Sequence, residues 1–250
     1  MRSPGAFAET WNQRDVQLYH LAAGGSATAS QGHQRVLPTF TTRALECLLP
    51  AVLRRAGPGF DPSRARLLEH RLVLPAPVTA PRSVFHEGTI TAVNRVGAAA
   101  VLGVRIRTLS PAGDLVAISE ASFSEGAARC VEPARLPGRR PDATIPLAVD
   151  AQQALLYRLC LSNGGEAGTP ALDDLVVYGA AVRAAVDAAF GGDCGQVRMC
   201  SARFNGRVRA GETMLLRLWA DGSEVTGDVY VCDRHAPVLT ELRLSRGMED

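Results

Sequence analysis

Apolar residues fall at helical spacing in two places along the chain. Between Thr39 and Arg55, Leu45, Leu48, Leu49, Val52 and Leu53 share one side of a 3.6-residue period. Pro38 precedes this run and Gly57-Pro58-Gly59 stops it. The second run spans Asp174 to Phe190, where Val176, Val177, Ala180, Ala181, Ala184, Ala185 and Ala188 give a face of small residues. Asp173 is placed to cap its start, and Gly191-Gly192 to end it. Runs of strand character follow each helix. After the first come His70–Leu74, Ser83–Val93, Ala98–Thr108 and Leu115–Phe123; after the second come Val197–Phe204, Glu212–Trp219, Val225–Val231 and Val238–Leu244. Turns at Ser110–Gly113 and Ala220–Gly222 separate neighbouring strands.

One helix followed by four or five antiparallel strands, written twice, predicts an α+β fold built by internal duplication. A helix wrapped by a curled sheet needs close backbone approach, which the Ala-rich face permits. The expected units are residues 1–125 and 151–250. Residues 126–150, rich in Pro, Arg and Gly, are expected to form a connecting strap. Its Arg residues suit either a solvated surface or a basic mouth for the phosphates of a CoA or carrier group.

Composition narrows the setting. Apolar residues make up 46% and charged residues 21%, with a net charge of +2, which gives no electrostatic case for nucleic acid or an anionic membrane. All 27 basic residues are Arg, which with the abundant Ala and Gly suggests a high-GC bacterial genome. No stretch approaches the roughly 20 apolar residues of a membrane span. Met1–Glu9 does not read as a signal peptide. The six Cys are scattered and the five His lie far apart. Reduced thiols, a cytoplasmic location and no metal or cofactor are therefore expected.

Four segments in order resemble the MaoC-like, hydratase-2 type family of enoyl-thioester hydratases and dehydratases. They are Trp11–Gly25, Val36–Phe40, Pro141-Asp142 with Gln153–Leu159, and Ser201–Thr213. The resemblance implies a double hot-dog fold, two antiparallel sheets each wrapped round a central helix. It also implies that the first half accommodates an acyl tail while the second carries the chemistry. In the family, an Asp and a His after the Tyr-Arg-Leu motif activate one water by general acid–base catalysis. A His-Gly-Leu motif then opens the central helix, and its Gly N–H stabilises the thioester oxyanion.

This chain departs from that pattern. After Tyr157-Arg158-Leu159, Ser162 stands where the Asp belongs and Ala167 where the His belongs, and the loop is about ten residues short. Asp173-Asp174-Leu175 replaces His-Gly-Leu. Asp173, Asp174 and His20 remain as candidate acids or bases, although the Asp pair equally suits the helix start and His20 equally suits packing. Tyr19, Cys160, Asn163, Glu166 and Tyr178 are candidate substrate-binding residues. His86 and Glu87 are neighbours on a strand and cannot both line one pocket; His70 reads as a surface residue.

The leading expectation is a repurposed enzyme of bacterial polyketide metabolism, catalysing cyclisation, a pericyclic closure such as a [4+2] reaction, or isomerisation. A hydratase or dehydratase with non-standard residues is the alternative. A non-catalytic partner subunit of a heteromeric hydratase is a third reading. The ligand is a small molecule or an acyl thioester linked to CoA or a carrier protein, and a homodimer fits the family.

Overall fold

The computed structural model describes residues 6–26, 36–55, 64–80, 82–96, 99–125, 137–161, 170–209 and 211–247. Strand β1 (Ala6–Trp11) leads into helix α1 (Gln13–Ala22). A 3₁₀ turn (Pro38–Thr42) runs into α2 (Arg43–Arg55), and β2 (Ala65–Val73), β3 (Arg82–Val96), β4 (Ala99–Leu109) and β5 (Leu115–Glu125) follow. The second half repeats the order: β6 (Ala143–Ala148), α3 (Ala151–Leu159), α4 (Pro170–Ala189), then β7 (Val197–Phe204), β8 (Thr213–Asp221), β9 (Glu224–Val231) and β10 (Ala236–Arg246).

The ten strands form one sheet in the order β1-β3-β4-β5-β2-β7-β10-β9-β8-β6. Read from the middle outward, each half has the same sequence of strands. Each half is therefore a copy of the other about a pseudo-twofold axis at the β2–β7 seam, where Arg71 pairs with Ser201 and Leu72 with Cys200. This is the double hot-dog arrangement, and the α+β duplication expected from the sequence is present.

The helices follow from their side chains. Leu175 to Val182 of α4 are all buried, as are Ala184, Ala185 and Val186. A helix apolar on every side belongs in the interior, and α4 packs against β2, β7, β8 and the first-half 3₁₀ turn. Among the described side chains of α2, an apolar stripe of Ala44, Leu45, Leu48, Leu49 and Val52 is buried, with Arg43 at its start. The shorter helices α1 and α3 pack on one another. Both begin with a capping box, Asn12 with Asp15 and Asp150 with Gln153, which fixes their first turns.

Several expectations need correction. The α4 helix begins at Pro170, so Asp173 lies inside the first turn rather than at the cap. Proline suits that first position because the N–H it lacks would have no helical partner. The first-half helix opens as a 3₁₀ turn, and β2 begins at Ala65. Strands β1 and β6 were not expected; β6 lies within the 126–150 stretch and pairs with β8. Residues 126–136 of that stretch lie outside the described residues. No helix among the described residues is long and apolar enough to cross a membrane.

Candidate active site

Helices α1, α3 and α4 contact one another, and buried polar side chains gather in three groups. The first joins β1, β3 and α2. The Glu9 carboxylate accepts a hydrogen bond from Trp11 Nε1 at 2.7 Å and lies 2.7 Å from Arg43 Nη2 and 3.0 Å from His86 Nε2. His86 Nδ1 reaches Thr108 Oγ1 at 3.0 Å. Arg43 also lies over the Phe40 ring. Such a dense set of partners is what a buried ion pair requires to offset its desolvation, and it reads as a joint between strand and helix. Glu87, by contrast, points outward to Arg107, so the strand separates it from His86 as alternation requires.

The second group lies at the β2–β7 seam. His70 Nε2 is 2.7 Å from Ser119 Oγ, and its ring meets Tyr178 edge-on at 5.4 Å. Burial alone lowers the His70 pKa to about 3, so the ring is neutral. Burial likewise pushes Cys200, beside Tyr178, up to about 12. The expectation that His70 is a surface residue is wrong. A register shift between Leu67 and Glu69 inserts one extra residue into β2 and turns His70 inward.

The third group brings α1, α2 and α3 together. Tyr19 and Tyr157 occupy matching places in the two halves, and their ring centres lie 5.7 Å apart. Tyr19 also meets Phe40 edge-on. Its hydroxyl stands beside Thr39 and Thr42, and that of Tyr157 beside the Glu46 carboxylate and Thr42. None of the oxygens of Tyr19, Tyr157, Thr39 or Glu46 closes a well-formed side-chain hydrogen bond. Burial, opposed by the Tyr157 hydroxyl and the Arg43 charge, raises the Glu46 pKa to about 8. Both tyrosine hydroxyls are raised by burial and stay protonated. Gly179 of α4 allows this approach: a Cβ there would lie 3.0 Å from Tyr19 Oη.

Of the residues singled out in the sequence, Tyr19 and Cys160 border this third group. Cys160 is buried, its thiol is pushed up to about 12, and its Sγ donates to the Leu156 carbonyl. Tyr178 belongs to the second group. His20 faces elsewhere: it is half-buried near Arg183 and Asp187 of α4, and its pKa is lowered by burial and then by Arg183. Asp174 lies partly buried near the start of α4, while nothing is described of the Asp173 side chain. Asn163, Glu166, Ser162 and Ala167 lie outside the described residues. Sequence reasoning passed over Glu46, Arg43 and Glu9. The signal for Glu46 was one acid inside an otherwise apolar run, Leu45 to Leu49.

A groove of about 490 Å³ crosses the exposed face of the sheet over β2, β4, β5, β7 and β10. Arg71 and Arg105 pair with Glu120 there, and Arg203 with Glu69 and Glu241. Arg243 lines it too, so four arginines stand among three glutamates. Among the described residues, no cluster of His, Cys, Asp and Glu is arranged to hold a metal ion.

No family model matches the chain. It is 30% identical to the enoyl-CoA hydratase ChsH3 of Mycobacterium tuberculosis, across 94% of this chain and 93% of that protein. It is 32% identical to 3-hydroxyacyl-thioester dehydratase Y of the same organism, across 84% of this chain and 82% of the relative. A MaoC-like dehydratase from Phytophthora capsici superposes with a TM-score of 0.81 at 20% identity, covering 99% of this chain and 96% of that one.

Proposed function

This chain belongs to the family of MaoC-like enoyl-CoA hydratases and dehydratases, and we propose that it binds an acyl thioester and hydrates or dehydrates it with residues other than the family's Asp and His. The observation that carries this reading is similarity from end to end to a hydratase, together with a protein-wide duplicated fold. Ser162 and Ala167, at the positions of the pair, carry no group that titrates near neutral pH and so cannot replace an Asp and a His as general base and acid. The acid–base work must then fall to other groups, and the buried hydroxyl and carboxyl groups between α1, α2 and α3 are candidates. The thioester handle is CoA or an acyl carrier, and the setting is the cytoplasm. A homodimer suits this reading.

The test is to incubate the purified protein with 2-enoyl-CoA thioesters of increasing chain length and follow loss of the enoyl absorbance. The expected result is turnover above the uncatalysed rate for at least one chain length. A folded protein that turns over neither enoyl nor 3-hydroxyacyl thioesters sinks the reading.

The replaced pair also favours a second reading, cyclisation or isomerisation of a bacterial polyketide, including a [4+2] closure. Holding two reactive ends together lowers a barrier without a strong acid or base. Its signature is an isomeric product of unchanged mass from a linear polyene, with no water gained or lost.

A further inference from the structure

We propose that Glu46 is the acid–base residue of this chain, oriented by the hydroxyl of Tyr157 in the buried polar cluster between α1, α2 and α3. The inference rests on the thioester hydratase reading above.

Five side-chain oxygens from four elements lie buried there without a well-formed hydrogen bond: Tyr19 Oη, Thr39 Oγ1, both Glu46 carboxylate oxygens and Tyr157 Oη. Native folds pair nearly all such atoms, so a cluster left open calls for an explanation. Glu9 supplies the comparison. It is also a buried carboxylate close to Arg43, yet Trp11, Arg43 and His86 surround it. Glu9 is therefore spent on structure, whereas neither Glu46 oxygen closes a well-formed hydrogen bond and, among the described residues, only the Tyr157 hydroxyl stands beside the carboxylate. Arg43 and Cys47 face Glu46 from its own helix, Tyr157 and Cys160 from α3, and Tyr19 lies beyond from α1.

The chemistry of such a group is suited to both halves of the reaction. With its pKa raised to about 8, Glu46 changes charge near neutral pH and can serve as base and then as acid. In the dehydrating direction, the ionised carboxylate takes the α-proton of a 3-hydroxyacyl thioester. The electron pair left behind forms the Cα–Cβ double bond as the Cβ–O bond breaks. The protonated Glu46 then returns its proton to the departing oxygen, which leaves as water. Hydration is the reverse.

The experiment measures kcat/KM against pH for 3-hydroxyacyl-CoA dehydration by the wild-type protein, Glu46→Gln and Tyr157→Phe. The wild-type rate is expected to rise about tenfold per pH unit up to a limb near 8 and then level off. Glu46→Gln should lose about a hundredfold or more and show no limb. Tyr157→Phe should turn over more slowly than wild type, with its limb moved to higher pH, because the lost hydroxyl favours the ionised carboxylate. A Glu46→Gln protein that keeps both rate and limb overturns the proposal and leaves the thioester reading standing. Wild-type protein without turnover overturns both. If Glu46→Gln does not fold, Tyr157→Phe decides: an unmoved limb overturns the proposal.

Discussion

Glu46 and His70 are both held in their neutral forms by burial, and they pull stability in opposite directions with pH. Glu46 titrates near 4.5 when exposed and near 8 when folded. Its pKa is raised, so its stabilising effect is complete below pH 4.5 and is lost as pH climbs to 8. His70 titrates near 6.5 when exposed and near 3 when folded. The unfolded chain takes up a proton below 6.5 that the fold refuses, so stability falls as pH drops from 6.5 to 3. Each slope approaches about 1.4 kcal/mol per pH unit for one group. Urea unfolding should therefore show greatest stability between pH 4.5 and 6.5. Glu46→Gln should remove the alkaline decline, leaving the variant more stable than wild type by roughly a few kcal/mol at pH 8 and little changed at pH 4. A variant that gains stability while losing activity marks a residue kept for function. Neither residue was legible in the sequence. A lone acid in a helix reads as a surface position, and the extra residue in β2 reverses which strand positions point inward.

At the level of elements, the long apolar runs were legible and the short edges were not. The two central helices announce themselves through repeated Leu and Ala spacing, because burial on a helix leaves a period in the sequence. Strands β1 and β6 are six residues each and lie at the two edges of the sheet, where half the pairing is absent and the pattern is weak. The start of α4 was misplaced because Asp173 offered a good cap, while Pro170 is the actual first residue. The contact between α1 and α4 was also hidden, since a single glycine in an Ala-rich helix carries no signal by itself. Gly179→Ala tests that contact. The new methyl group would lie 3.0 Å from Tyr19 Oη, so that the ring must give by a few tenths of an ångström, costing about 1–3 kcal/mol, against roughly 1 kcal/mol gained in helix propensity. The expected net result is a Tm lowered by about 2–4 °C, read by circular dichroism.

For the molecule as a whole, the duplication was visible in the chain but its seam was not. Nothing local in Glu69–Val73 says that it will pair with Met199–Arg203, because that choice is made by the packing of both halves at once. The seam has a consequence for unfolding. The sheet runs unbroken through β2 and β7, and α4 of the second half packs on β2 and on the first-half 3₁₀ turn. Neither half can then open without exposing the other's core, so the chain should unfold as one unit. The two Trp residues make this measurable. Trp11 is buried in the first half, and Trp219 in the second, where its Nε1 donates to the Arg139 carbonyl. In Trp219→Phe the fluorescence reports the first half, and in Trp11→Phe the second. Within each variant the fluorescence midpoint in urea should coincide with that from far-UV circular dichroism, which reads both halves. Midpoints that separate in either variant would mean that the two copies unfold independently and that the seam holds little of the fold together.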